Sequence, residues 1–342
     1  MALGEKMMKE IEEIPRILEI IASNFERNEA VQSFIENQKF SSVILVARGT
    51  SDNAAHFLKY LIETKLGLPC GLASPSAATM HKVKFNYENV LVIALSQSGR
   101  SSDLLTFSKS AKDGGAYILS ITNDEESTLA RLSDLHIPIL AGPELAVPAT
   151  KSFIGQLFIS YLLVASWAKE NTHVEEIYGN ARSNIEDQSY KQFADTLDIS
   201  RPIYILGRGF SFPLAKEFAL KLQETSLIPV QGMSSSDFLH GPIASINSES
   251  QVIFMAPHGL PEESFGQAPD QIGEITKKIY WIGSSPKPFL AEHLLSSPAS
   301  SSEISAAITD VIHFQKITHF LATKNGLDPD SPKGLSKVTI TL

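Results

Sequence analysis

Val43-Ile44-Leu45-Val46-Ala47-Arg48-Gly49 is a short apolar run closed by Arg-Gly, and Ile203-Tyr204-Ile205-Leu206-Gly207-Arg208-Gly209 restates it 160 positions later. Neither run alternates polar with apolar residues, which is the pattern of a strand buried on both faces of a parallel sheet. The same offset carries Val90-Leu91-Val92-Ile93-Ala94-Leu95 onto Ser250 to Met255, where Val252-Ile253-Phe254-Met255 is again apolar. Tyr117-Ile118-Leu119-Ser120-Ile121 has its counterpart close to Lys278-Ile279-Tyr280-Trp281-Ile282, and Ile137-Pro138-Ile139-Leu140 reads as a fourth strand of the first half. Helical spacing follows the runs: a stretch over about 52–66, then Leu104, Leu105, Phe107, Ser108 and Ala111 up to Gly114-Gly115, and Ala215, Phe218, Ala219 and Leu222 after Gly209. Strands alternating with helices predict βαβ units and an α/β fold with a parallel sheet in each half. So long a period means a duplicated domain and excludes a short-repeat solenoid.

Residues 7–37 carry helical periodicity through Ile11, Ile14, Leu18, Ile21 and Phe25, with Pro15 separating two helices. The expected organisation is a helical segment over 1–30, a first domain over 31–175, a second over 196–330, and a tail over 331–342. Residues 150–195 read as helical, with the linker near 180–198. A net charge of −9 with no basic block argues against nucleic acid as a partner. The single cysteine, Cys70, excludes disulfides within the chain and a cysteine-built metal site, and reads as the start of a short buried strand. Glu5, Lys6, Lys9, Glu10, Glu12 and Glu13 break any signal-peptide run, and no apolar stretch approaches the ~18 residues of a membrane span. The expectation is a cytoplasmic protein with no membrane partner. The histidines show no HxxxH spacing, so neither a metal nor an organic cofactor is expected.

The candidate binding element is Ser96-Gln97-Ser98-Gly99-Arg100-Ser101-Ser102, directly after the second buried run. In a doubly wound sheet that place holds ligands, because helix N-termini converge there with unsatisfied N–H groups and a positive dipole end. The serine hydroxyls add donors, Ser51 after the neighbouring strand adds another, and Gly99 permits close backbone approach. A turn that merely caps its helix has the same composition. The second half tips the balance toward an anion, since its counterpart is Ala256-Pro257-His258-Gly259, with few donors. The ligand expected is therefore a phosphorylated one.

Seven stretches, spread in order over the whole chain, carry a family likeness: Arg48-Gly49-Thr50-Ser51, Ser96 to Ser101, Glu144 to Lys151, Gly207-Arg208-Gly209, Lys221-Leu222-Gln223-Glu224, His240-Gly241-Pro242, and Leu335-Ser336-Lys337-Val338-Thr339. The chain resembles the double SIS (sugar isomerase) domain proteins, and among them the isomerase half of glucosamine-6-phosphate synthase and the stand-alone deaminases built on it. The resemblance implies two tandem SIS domains, each with a flavodoxin-like parallel sheet, in a homodimer. It makes Glu224 the base that moves a proton between C1 and C2 of an open-chain sugar. His240 becomes the group that opens the ring, reaching the partner subunit's site, and Lys337 a lysine on a tail that closes over the substrate. It places Gly49, Thr50, Ser51, Ser96, Gln97, Ser98, Ser101 and Lys221 among the groups that bind substrate or phosphate. Read without it, Glu217, Lys221 and Glu224 are a solvated charge ladder, His240 a loop histidine and Lys337 an exposed lysine.

Arg100-Ser101 departs from the Glu-Thr of the synthase pattern: Ser101 keeps the hydroxyl, while Arg100 either strengthens anion binding or faces solvent. Lys151 is similarly open. The synthase also needs an N-terminal glutaminase domain with a nucleophilic cysteine, whereas this sequence begins at the helix leading the isomerase half. The expected reaction is therefore breakdown of glucosamine 6-phosphate to fructose 6-phosphate and ammonia. Alternatives are a galactosamine/tagatose-type deaminase, a fructosamine 6-phosphate deglycase and, in another class, a sugar-phosphate sensor.

Overall fold

A computed structural model describes residues 2–37, 39–260, 262–283 and 291–337. The chain divides into two compact units that interleave along the sequence. One comprises Arg16–Glu144, Lys151–Thr172 and Ser336–Leu342; the other comprises Met1–Pro15, Leu145–Thr150 and His173–Leu335. The N-terminal helices are α1 (Glu5–Glu12), α2 (Ile14–Glu26) and α3 (Glu29–Asn37), with Pro15 in the first turn of α2 where its missing N–H costs nothing.

The first sheet is built from β1 (Ser42–Val46), α4 (Thr50–Leu61), β2 (Cys70–Leu72), α5 (Pro75–Thr79), β3 (Val90–Ser96), α6 (Ser102–Asp113), β4 (Tyr117–Thr122), α7 (Thr128–Leu132), β5 (Leu135–Pro138) and α8 (Lys151–Ala168). Its strands are all parallel in the order β2-β1-β3-β4-β5. The order reverses between β1 and β3, which opens a crevice at their carboxyl ends. Val92, Ala94, Ile118, Leu104 and Phe107 form part of a core on this sheet. Cys70 is buried at the start of β2, as its neighbours implied. Helix α8 is buried continuously from Lys151 to Ala165, as an all-round apolar helix must be.

Local departures from expectation have local causes. The stretch expected as a helix over 52–66 starts at Thr50, leaves the α-helix after Leu61 for a wider turn over Ile62–Leu66, and stops at Gly67 with φ 63°. The fourth strand lies two residues earlier than the apolar run, because Leu140 takes φ 58° and cannot extend it.

The second sheet follows α9 (Val174–Glu186) and α10 (Ser189–Asp195). It comprises β6 (Ile203–Gly207), α11 (Ser211–Ser226), β7 (Val230–Ser234), α12 (Ser235–Leu239), β8 (Gln251–Ala256), α13 (Ala268–Ile275), β9 (Ile279–Gly283) and β10 (His293–Leu295), then α14 (Glu303–Lys324). Its parallel order, β10-β9-β8-β6-β7, is the first sheet's order read from the other edge. Both halves therefore have the 2-1-3-4-5 arrangement of a flavodoxin-like sheet. Phe238, Val252, Phe254, Ile272 and Trp281 pack in its core. No helix among the described residues is long and apolar enough to cross a membrane.

The crevice of the second sheet, between β6 and β8, is filled from within its own unit. Ser302 caps α14 by accepting the Ser305 N–H at 3.1 Å, and the next residue, Glu303, turns its carboxyl group onto the Phe210 N–H at 3.2 Å. A β-carbon on Gly209 would stand 3.1 Å from Glu303 Oε1, and one on Gly259 would stand 2.7 Å from the Glu303 nitrogen. The start of α14 thus occupies the place that a ligand takes in an open sheet.

Gly283 ends β9 at φ 132°, and a β-carbon there would lie 1.8 Å from the Ala256 carbonyl oxygen. Gly283→Ala is expected to lose at least about 2 kcal/mol in urea unfolding, from overpacking and backbone strain together. A loss below about 0.5 kcal/mol would contradict this packing.

Candidate functional site

The serine turn begins one residue later than its sequence suggests, since Ser96 is the last residue of β3. Two of its serines shape the turn: Ser96 Oγ accepts the Gly99 N–H at 3.0 Å, and Ser98 Oγ accepts the Arg100 N–H at 3.3 Å. The turn is also pinned to the neighbouring segment, where the Gln97 carbonyl accepts from Asn123 N at 3.0 Å and the Gly99 carbonyl from Leu129 N at 3.2 Å. Gly99 is needed for a different reason than close approach to a ligand. Its φ is 62°, and Ser127 Oγ stands 2.2 Å from where its β-carbon would be.

Ser101 occupies the N-cap position of α6 but makes no side-chain cap hydrogen bond. A turn selected only for capping would use that hydroxyl. Gln97 and Ser98 are half-buried, Ser101 likewise, and the positive end of the 12-residue α6 stands behind them. Gly49 and Thr50 precede and begin α4 after β1, on the other side of the β1/β3 switch point. Gly49, at φ 54°, has open space at its β-carbon position.

Three further residues of this region have definite places in the structure. Ser51 is buried, and its hydroxyl oxygen accepts Gln156 Nε2 of α8 at 3.0 Å, so it braces α4 against α8. Of the two alternatives for Arg100, the structure has it facing solvent, its side chain 64% exposed and paired with Asp124 at 2.8 Å. Lys151 is buried in the first turn of α8 and does not face solvent.

Sequence reading missed the pair that backs the cradle. Arg48 Nε donates to Asp103 Oδ2 at 2.6 Å, and the buried Asp103 sits in the first turn of α6, where its charge suits the helix dipole. The two residues lie 55 positions apart. The recurrence of Arg-Gly at 48–49 and 208–209 was the only signal, and it does not name the acid.

Lys337 is not a free exposed lysine. Its Nζ donates to Glu144 Oε2 at 2.9 Å, and its side chain is 24% exposed against 0% for Glu144. Glu144 also accepts from the Ser152 N–H at 3.0 Å and Ser152 Oγ at 2.7 Å. Burial works against its ionisation, but the Lys337 charge and these hydrogen bonds outweigh it and hold the carboxyl below the usual carboxylate range. Val338 and Thr339, which complete the tail motif, lie outside the described residues.

In the other unit the charged row on α11 is not a solvated ladder. Glu217 and Lys221 are fully buried, and Lys221 Nζ lies 3.3 Å from Glu217 Oε1 and also donates to Glu224. Burial disfavours the ammonium, yet the two carboxylates more than offset it and raise its pKa. Lys221 is therefore paired with carboxylates on its own helix. Glu224 is the one member of the row that reaches the surface, with its side chain 22% exposed. His240 is exposed and closes the short α12, its N–H bonded to the Asp237 carbonyl at 3.1 Å.

The loop Leu145–Thr150 is held by a residue that no motif flagged. The buried Glu10 of α1 accepts the Leu145 N–H and, at 3.3 Å, the Ala146 N–H. Val147 N reaches the Asp330 carbonyl at 3.0 Å, and Gln315 Nε2 the Thr150 carbonyl at 3.1 Å.

The SIS domain matches residues 35–166 and 197–320. A glutamine–fructose-6-phosphate aminotransferase (isomerising) of Aquifex aeolicus is 30% identical over 98% of this chain. The chain spans 57% of that relative's length. A Silicibacter pomeroyi structure assigned to the phosphosugar isomerases superposes with a TM-score of 0.80 at 29% identity, covering 95% of this chain and 99% of the other. The glucosamine-6-phosphate deaminase of Thermotoga maritima has the same fold, with a TM-score of 0.78 at 22% identity over 98% of this chain and 100% of its own. With both sheets matched in full and in order, this chain belongs to the SIS domain family.

Proposed function

We propose that this chain is an aminosugar-phosphate isomerase and deaminase, converting glucosamine 6-phosphate and water into fructose 6-phosphate and ammonia. The observation that carries the reading is the Glu217–Lys221–Glu224 row. Two buried members of opposite charge hold the third, a carboxylate, at the surface. A carboxylate fixed in that way is suited to taking a carbon-bound proton and returning it to the next carbon. The Aquifex aeolicus relative is an isomerising aminotransferase of fructose 6-phosphate, which supports a 6-phosphate sugar as the substrate class.

In this reading Gly49, Thr50, Gln97, Ser98 and Ser101 receive the phosphate at the β1/β3 switch point. His240 serves ring opening by passing a proton between ring and hydroxyl oxygen, and does so for the partner subunit of a homodimer in the cytoplasm. Glu224 then removes the C2 proton of the open aldehyde, giving an enolamine, and delivers a proton to C1. Water adds to the resulting C2 imine, and ammonia leaves as the ketone forms.

The reading predicts ammonia from glucosamine 6-phosphate in a side-by-side assay with galactosamine 6-phosphate and fructoselysine 6-phosphate. No ammonia from the first would sink it, and release from one of the others would reassign the substrate. Glu224→Gln is expected to lower turnover by about 10²–10⁴-fold while keeping sugar-phosphate binding. Unchanged turnover would remove Glu224 from the mechanism.

Ser101→Ala should raise KM about tenfold, the loss of one bond to a charged group, without moving the unfolding midpoint. Ser127→Ala should do the reverse, losing about 1 kcal/mol, because Ser127 Oγ caps α7 by accepting Ala130 N at 3.2 Å. A destabilised Ser101→Ala with normal KM would return the serine turn to a capping role.

A further inference from the structure

We propose that Glu144 is a positioning residue: a buried carboxyl group, held in place by the first turn of α8, onto which Lys337 docks so that its amine is held ready for the substrate. The proposal rests on the functional reading above, in which Lys337 meets the sugar near its reacting carbons. Glu144 itself has no exposed side-chain surface, so it does not meet substrate directly in this state.

The geometry separates this pair from an ordinary surface salt bridge, which contributes little and holds nothing in place. Two of the hydrogen bonds to Glu144 come from a single residue, Ser152, whose N–H and hydroxyl lie 3.0 and 2.7 Å away. Ser152 belongs to the first turn of α8, an 18-residue helix that is buried through most of its length. The positive end of that helix favours a carboxylate there, and the acid's position is fixed by a rigid element, while the Lys337 charge is the largest influence that offsets its burial. A further bond comes from Lys337, 193 positions away, on a segment with no regular structure. Of the two partners, the acid is immobile and the lysine is the part that must be brought in.

Removing Lys337 from such an arrangement leaves Glu144 with its Ser152 bonds. Removing the charge of Glu144 leaves Lys337 with a tail and one strong attachment fewer. The direction of dependence is therefore from Glu144 to Lys337, and a lysine displaced by about 1 Å loses about a hundredfold in rate.

The test is a double-mutant cycle on the full chain with glucosamine 6-phosphate, comparing Glu144→Gln, Lys337→Ala and the double variant. The expected result is a fall of about a hundredfold in kcat for Glu144→Gln with KM changed far less, and no further fall when it is added to Lys337→Ala. Multiplicative losses would show that Glu144 acts independently of Lys337 and would overturn the proposal. Amide exchange over residues 331–337 reads the same bond without turnover. Faster exchange in Glu144→Gln than in the wild-type chain supports the docking, and unchanged exchange overturns it. If Glu144→Gln fails to fold, Lys337→Gln breaks the same contact from the tail side and is judged by the same exchange. A wild-type chain that turns over no aminosugar phosphate would sink the preceding reading alone, with the docking still decided by exchange.

Discussion

A parallel sheet that reverses its strand order aims helix N-termini at one crevice, and their positive ends have to be met by something negative or polar. That constraint shapes both halves of this chain. In the second, Glu303 turns its carboxyl group onto the Phe210 N–H and the start of α14 stands against Gly209 and Gly259. In the first, the corresponding turn is built from serines, two of which shape it while Ser101 leaves its helix uncapped. One duplicated fold has met the same electrostatic demand once from within and once by a turn suited to an incoming phosphate. The asymmetry that the serine turn and its Pro-His counterpart foretold has its physical counterpart in Glu303.

A second electrostatic device lies on α11. Lys221 is fully buried and stays charged only because Glu217 and Glu224 flank it on the same helix. Removing one member of such a row leaves an uncompensated buried charge, so the three behave as a unit and not as separable contacts. The arrangement does not stabilise the fold efficiently. What it achieves is a fixed direction for one partly exposed carboxylate.

The fold was legible because its signals are local. Apolar runs, helical spacing and the 160-residue offset are all read along the chain. Where the reading slipped, one backbone conformation decided the matter, as at Leu140, which stops β5 from reaching the end of its apolar run. The site was legible only in part. Charges at positions 217, 221 and 224 have the spacing of a solvated ladder and of a buried row alike, and only the packing of α11 distinguishes them. Arg48 and Asp103, Glu10 and the Leu145–Thr150 loop, and Glu144 and Lys337 are pairings over long sequence separations. No periodicity encodes these, so residue types alone left Lys337 as an exposed lysine and Glu144 without a role.

The central claim is that a proton moves between adjacent carbons of a phosphorylated aminosugar. Turnover of glucosamine 6-phosphate deuterated at C2, followed in ordinary water and then with the unlabelled sugar in D₂O, tests it most directly. The account predicts a slower rate with the C2 label, and at C1 of the fructose 6-phosphate either the substrate's own C2 deuterium or, after exchange on the base, deuterium from solvent. Ammonia release with no isotope effect at C2 and no deuterium at C1 in either experiment would contradict it.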